Sequence, residues 1–189
     1  KDRIDNSFSQ LRDHLLSAGK AGYDFEYDQI VSYGELWSTI MIAEYLNKSG
    51  LKASWIDIRG SLLTDDRFRD ANVLWNESGN RIKTVFDFRE SPLYITQGFI
   101  ASTIAGQTTT LGREGSDYTA AILANILDAE CVTVWKDVPG LLNADPRWLP
   151  DAEKLEEVSY REAVEMTFSG AKIIHPKTIK PLHNKNIPL

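Results

Sequence analysis

Thr110–Leu127, TLGREGSDYTAAILANIL, sets Arg113, Glu114 and Asp117 directly against an alanine-rich apolar helix. Gly112 and Gly115 flank the charges, and Ser116 is positioned to cap the helix, so free backbone N–H groups and the positive helix end face the loop. A small anion is at home in such a place. Arg113 adds a planar fork that matches a carboxylate or phosphate in a way lysine does not. Asp117 is a candidate to hold a lysine or a metal-bound water. A plainer reading stays open, in which Asp117 serves the helix dipole while Arg113 and Glu114 are solvated.

Working outward, LYITQGFIA (93–101) reads as a strand and leads through a Thr-rich connection into this helix. CVTVWKDVPG (131–140) follows as a second strand that meets a Pro-Gly turn. Strand, helix and strand at these lengths predict a βαβ unit and an α/β fold. Further upstream, NSFSQLRDHLLSAG (6–19) and the stretch from Asp28 to Gly50 have helical apolar spacing, and KASWIDI (52–58) has the composition of a short strand. NVLWNESGNRIKTVFDFRE (72–90) has no clear period, and its Gly79 reads as a turn. Downstream, SYREAVEMTF (159–168) is expected to be helical from a Ser159 N-cap, and Pro176 to start a last helix.

Composition limits the function classes. The 189 residues carry 21 Lys and Arg against 27 Asp and Glu, a net charge of −6 with a pI near 5.1. That balance argues against nucleic acid or an anionic membrane as the main partner, because phosphate backbones usually require a basic footprint. No apolar run approaches membrane-spanning length, and KDRIDNSF lacks the hydrophobic segment of a signal peptide. The start at Lys1 and the strand-like end NIPL read as cuts in a longer polypeptide. Cys131 is the one cysteine; CVTVW reads as a buried strand, so its expected role is structural, and a reducing, cytoplasmic setting fits. The tryptophans Trp37, Trp55, Trp75, Trp135 and Trp148 read as core or half-buried.

Other candidate site residues stand alone in the sequence. Glu35 in SYGELWS shares a helix face with Ser32 and Ser38. It is a candidate for an ammonium group or simply a surface glutamate. Gly34 beside it costs roughly 1 kcal/mol relative to alanine in a helix, and close approach of another group to the backbone is one reason to keep it. Lys136 and Asp137 lie where a strand ends, the usual place for ligands in open α/β sheets. Arg147 and Lys172 are candidate phosphate contacts or ordinary surface charges. His14, His175 and His183 show no metal spacing, and His175, before Pro176, reads as a packed or hydrogen-bonded histidine.

Together, SYGE (32–35), TQGFIA (96–101), TTTLGREGSDYTAAILA (108–124), VWKDVPGLLNADPR (134–147) and FSGAKIIHPKTI (168–179) resemble the catalytic domain of aspartate kinases, within the amino-acid kinase fold. The resemblance runs from about Ser32 to Thr178. It implies a mainly parallel central sheet between helix layers, here as a partial domain over residues 1–189. It also implies transfer of the ATP γ-phosphoryl group, with Mg²⁺, to the β-carboxylate of L-aspartate. The product is 4-phospho-L-aspartate, on the way to lysine, threonine and methionine, made by a cytoplasmic, homo-oligomeric parent protein.

The same resemblance assigns roles. Arg113 clamps the substrate α-carboxylate, Glu35 receives its amino group, and Phe99 and Ser116 line that pocket. Lys136, Asp137, Leu142 and Arg147 fall at nucleotide positions; Lys172 lies near the transferred phosphoryl group, and Asp117 orients catalytic lysines. Some positions depart from the family. Its N-terminal Lys-Phe-Gly-Gly-Thr-Ser strand is absent, which implies that the chain by itself is inactive, and its regulatory ACT domains are absent too. Glu114 replaces a frequent glycine, Lys136 a threonine, Leu142 a tyrosine and Pro139 an aspartate. Another kinase of the same fold, acting on glutamate, acetylglutamate, carbamate or a nucleotide, or a non-catalytic nucleotide-binding or assembly module, is the alternative.

Overall fold

The computed structural model describes residues 2–17, 19–138, 140–168 and 174–189; Pro139 and Lys172 lie outside them. The chain divides into two compact units, residues 1–116 and 117–189.

The first unit opens with helices α1 (Asp2–Ser17) and α2 (Tyr23–Lys48), both starting before the apolar spacing that announces them. They meet through aromatic contacts. Phe8 stacks on Trp37 with ring centroids 4.2 Å apart, and the Trp37 indole N–H donates to Ser7 Oγ at 2.5 Å. Glu26 ties the start of α2 by accepting the N–H groups of Gly19, Lys20 and Ala21. Those backbone donors, Ala21 first, hold its carboxyl below the usual range.

Helix α2 turns a polar face inward. Asp28, Ser32, Glu35 and Thr39 recur at intervals of four, three and four, so they share one face, and Asp28, Ser32 and Thr39 are buried. Gln29 beside them exchanges two hydrogen bonds with the backbone of Thr108, at 2.7 and 3.1 Å. Met41, Ile42 and Tyr45 of the same helix are exposed. Gly34 is exposed as well, and a Cβ built there meets nothing within 4 Å among the described residues, so none of them makes the close approach that is one reason for a glycine in a helix.

Two short ladders complete this unit. β1 (Ala53–Trp55) pairs in parallel with β3 (Leu93–Ile95), while β4 (Ile100–Thr103) lies between parallel β2 (Leu63–Thr64) and antiparallel β5 (Thr108–Thr110). Parallel pairing therefore predominates in an α/β unit. The predicted strand 93–101 is two strands in two ladders, broken at Gln97–Gly98, and the Thr-rich connection contains β5. Gly79 marks no turn; it lies inside α3 (Trp75–Val85). Ser78 of α3 explains that helix's place: its hydroxyl accepts from Leu63 N and donates to Leu63 O. Ile58, Leu62, Leu63, Ile82, Ile100 and Leu111 are almost fully buried.

The second unit holds most of α4 (Gly115–Leu127), with α5 (Tyr160–Phe168) and α6 (Pro176–Lys185). Ala121, Ala124, Leu182 and Ile187 form its core, with Val132 and Tyr160 against them. Helix α5 has the expected cap: Ser159 Oγ accepts from Glu162 N, and the Glu162 carboxylate accepts from Ser159 N, a reciprocal box. His175 caps α6 by accepting the Lys177 N–H at 3.2 Å, with Pro176 at the first helical position. The predicted strand 131–135 is not one. Val132 N–H donates to Pro188 O at 2.8 Å, but the stretch has no strand assignment, so the βαβ unit is not formed as expected. Cys131 is exposed and not buried, and Trp135 is 93% exposed, because no neighbouring strand among the described residues covers this stretch; Trp148, expected in the core or half-buried, is 86% exposed. Among the described residues, no helix is long and apolar enough to cross a membrane.

Because Gly34 lies inside α2 with open space around it, Gly34→Ala is expected to stabilise the protein by about 0.5–1 kcal/mol. Urea unfolding checks this; a lower midpoint would mean that something does press on that backbone.

Candidate functional site

The break between β3 and β4 builds one site within residues 1–116. Gln97 is buried, and its amide donates to Thr39 Oγ1 at 2.8 Å and accepts from Ile58 N at 2.8 Å. That pins the corner. At the next residue, Gly98 N–H donates to Glu35 Oε1 at 3.0 Å, so a helix carboxylate is fixed by loop backbone. The second Glu35 oxygen accepts no hydrogen bond among the described residues.

Gly98 also sets the distance to Ser116. A Cβ on Gly98 would stand 2.6 Å from Ser116 Oγ and 3.0 Å from Ser116 Cα, so only glycine lets these two segments meet. Phe99 follows with φ +51°, and Gly115 packs on it so closely that a Cβ would lie 2.7 Å from Phe99 Cβ. Leu111 N–H donates to Phe99 O at 2.9 Å. Glu35, Phe99 and Ser116 are thereby gathered at one corner. Helix α4 begins at Gly115, so Ser116 lies in its first turn and is not the cap expected from the sequence.

Arg113 sits on the loop that joins β5 to α4. Gly112 before it has φ +77°, and a Cβ there would meet Asp70 Oδ1 at 2.7 Å. Arg113 is exposed and, among the described residues, has neither an ion pair nor a hydrogen bond. Glu114 takes φ +53°, a left-handed conformation that disfavours a side chain, and its Oε2 is buried without a hydrogen-bond partner among the described residues. A carboxylate oxygen, an unengaged guanidinium and a serine hydroxyl make a set suited to a small zwitterion.

The buried Asp28 lies beneath the same loop. It accepts Thr110 N–H at 2.9 Å and the Thr110 hydroxyl at 2.8 Å. Burial pushes its carboxyl up, opposed by the N–H of Arg69 and the hydroxyl and N–H of Thr110.

The remaining candidates lie in residues 117–189. Asp117, in the first turn of α4, is paired with Lys136 at 2.7 Å, with side chains only 15% and 28% exposed. Asp137 is exposed. Leu142 is half-buried and bridges to Lys154. Arg147 is exposed and its guanidinium is taken by Asp145, with Nη2–Oδ2 at 2.6 Å and Nε–Oδ1 at 3.0 Å. An open groove of about 1180 Å³ is lined by Lys136, Gly140, Leu141, Lys154 and Ile179, among others, but not by Asp137, Leu142 or Arg147. Lys172 lies outside the described residues. Burial alone pushes the Tyr118 phenol up.

Sequence reasoning missed Gly98, Gln97 and Asp28. Gly98 did leave a trace, because an isolated glycine in a strand pattern marks a bulge or a close backbone approach. Asp28 and Gln97 left none, since their partners are distant in sequence.

The profile of the amino acid kinase family matches residues 3–189. Lysine-sensitive aspartokinase 3 of Escherichia coli (strain K12) is 43% identical over 164 residues, covering 86% of this chain and 36% of that protein. A chloroplastic bifunctional aspartokinase/homoserine dehydrogenase 2 of Arabidopsis thaliana is 39% identical over 190 residues, 98% of this chain and 21% of that protein. The crystal structure of E. coli aspartokinase III in complex with aspartate and ADP (R-state) superposes with a TM-score of 0.89 at 39% identity, covering 98% of this chain and 42% of that one. The chain thus spans well under half the length of these relatives.

The contact of Gly98 with Ser116 leaves no room for a methyl group. Gly98→Ala is expected to destabilise by about 1–3 kcal/mol through overpacking, read as a lower urea midpoint. An unchanged midpoint would mean that the two segments are not in close contact.

Proposed function

The chain belongs to the amino acid kinase family, and we propose that it forms catalytic machinery of an aspartate kinase, which transfers the γ-phosphoryl group of ATP to the β-carboxylate of L-aspartate. The observation that carries this reading is the corner made by Glu35, Gly98, Phe99 and Ser116, with Arg113 on the adjoining loop. The Gly98 amide fixes Glu35 in one orientation and leaves its other oxygen for the amino group. Arg113 offers the α-carboxylate a bidentate fork. The E. coli relative whose structure holds aspartate and ADP supports the same acceptor and nucleotide.

In the reaction, a β-carboxylate oxygen of aspartate attacks the γ-phosphorus while the bond to the β,γ-bridging oxygen breaks, and ADP leaves with that electron pair. The carboxylate is already ionised, so no proton need be removed. The protein's task is in-line positioning and the offsetting of repulsion between two anions. Lys136, held by Asp117, and Lys172 are the proposed cations on the nucleotide side, with Asp137, Leu142 and Arg147 as further nucleotide contacts. Asp117 is a positioning residue.

Among the described residues no three His, Cys, Asp or Glu side chains gather as a metal site. Mg²⁺ typically keeps several waters and is held largely by substrate phosphates, and in this reading it would arrive with ATP. It would supply charge neutralisation on the β- and γ-oxygens. Production of 4-phospho-L-aspartate places the whole protein, a cytoplasmic homo-oligomer in this reading, at the head of lysine, threonine and methionine synthesis.

The product of the complete reading frame, given ATP and Mg²⁺, is expected to release ADP with L-aspartate and not with L-glutamate or without acceptor. Release that ignores aspartate would point to a sibling kinase or a binding module. In the same assay Arg113→Lys is expected to raise the aspartate KM by about tenfold, the loss of one charge-assisted hydrogen bond, while leaving the ATP KM nearly unchanged. Equal losses for both substrates would remove Arg113 from the acceptor pocket.

A further inference from the structure

Asp28 is a carboxylate with no exposed surface, and a buried charge is costly unless its environment requires it. Its bonds run to the Arg69 loop and to Thr110, the last residue of β5. Oδ2 accepts Arg69 N–H at 2.8 Å and Thr110 N–H at 2.9 Å, and Oδ1 accepts the Thr110 hydroxyl at 2.8 Å. The Arg69 guanidinium does not share this role; it pairs with Asp24 at 3.2 Å and stands over the Tyr27 ring at 4.8 Å.

The Arg69 loop and the loop that follows Thr110 both carry unusual backbone. Arg69 has φ +69°, Gly112 +77° and Glu114 +53°. They also close on each other: Ala71 N–H donates to Thr110 O at 2.9 Å, and Arg69 O would lie 3.2 Å from a Cβ on Gly112. Left-handed conformations at residues other than glycine persist only where the surroundings over-determine them. Arg113 sits between Gly112 and Glu114 and has no partner of its own among the described residues, so its direction comes from the backbone around it.

We propose that Asp28 is a positioning residue for the acceptor site: from the buried face of α2 it clamps the Arg69 and Thr110 backbones together and so holds the Arg113 loop ready for the substrate carboxylate. The proposal rests on the aspartate kinase reading for the identity of that carboxylate, but not for the clamp itself. Asp28 touches no substrate; it acts on Arg113 through Thr110 and the two loop residues Leu111 and Gly112.

The test uses the product of the complete reading frame, with two readouts. In Asp28→Ala, amide hydrogen exchange over residues 110–115 is expected to speed up by about tenfold or more, with exchange at Ile82 in α3 unchanged, because local opening is read segment by segment. The aspartate KM is expected to rise by about tenfold with the ATP KM within about twofold, the pattern of lost acceptor binding. Asp28→Asn keeps an oxygen for both N–H groups and an amide N–H for the Thr110 oxygen, so it is expected to stay close to wild type on both readouts.

If Asp28→Ala does not fold, Thr110→Val, which deletes only the hydroxyl, is expected to raise the aspartate KM by about threefold, since one of the three hydrogen bonds to the Asp28 carboxylate is lost and two remain. An unchanged aspartate KM in a folded variant, or equal rises for aspartate and ATP, overturns the proposal. Should wild type show no dependence on aspartate, the kinase reading falls while exchange at 110–115 still decides the clamp: faster in Asp28→Ala supports it, unchanged overturns it.

Discussion

The first unit depends on a polar stripe hidden inside a helix interface. Asp28, Ser32, Glu35 and Thr39 recur along one face of α2; Asp28, Glu35 and Thr39 bind backbone and side-chain groups of other segments, while Ser32 bonds back to Gln29 of its own helix. An unpartnered buried polar group costs about 1–3 kcal/mol, so Asp28, Glu35 and Thr39 each demand a particular neighbour in a particular place. Thr39 receives the Gln97 amide and the Trp55 indole N–H; Glu35 receives Gly98; Asp28 receives Thr110 and Arg69. Five strands of two to four residues have few ladder bonds of their own. Helix α2 supplies a register that such short ladders lack, and the corner at Gly98 follows from it.

The residues proposed for the nucleotide side raise a different electrostatic question. Lys136 is matched by Asp117, and Arg147 by Asp145. An anion meeting these cations does not find bare charge. Lysine has three N–H donors and arginine five, so a phosphate can add to each without displacing the carboxylate. The carboxylates then fix where the remaining donors point, which trades some attraction for direction. In a chain of net charge −6, local pairing of this kind decides the field at a site more than the total does.

Much of the outline was legible in the sequence, and the failures have physical causes. The helix after the glycine-flanked charges, the Ser159 box and the Pro176 start obey local rules, and local rules can be read locally. Helix α2 was legible as a helix but not in its orientation, because hydrophobicity predicts the buried face and here Met41, Ile42 and Tyr45 are exposed while Asp28 and Thr39 are buried. α3 was obscured by Gly79. The single strand expected over 93–101 is divided at Gln97–Gly98, where the Gln97 side chain binds Thr39 and Ile58 and Gly98 lies against Ser116, partners distant in sequence. CVTVW has strand composition, but composition does not supply a neighbour. At the site, Glu35, Arg113 and Ser116 could be picked out by residue type and motif; Gly98 and Asp28 could not, since their meaning lies in partners far along the chain.

Those same separations bear on how the first unit assembles. Gln29 meets Thr108 across 79 residues, Asp28 meets Thr110 across 82, and Thr39 meets Gln97 across 58. Helix α2 can form from local bonds alone, yet its polar stripe remains hydrated until β5 and the Gln97 corner reach it. Long closures carry an entropic cost before their contacts return anything, and chains rich in them fold slowly. The corner at Gly98, proposed to hold the acceptor, therefore belongs to the last part of the fold to consolidate, and an early collapsed chain with its helices in place would still lack it.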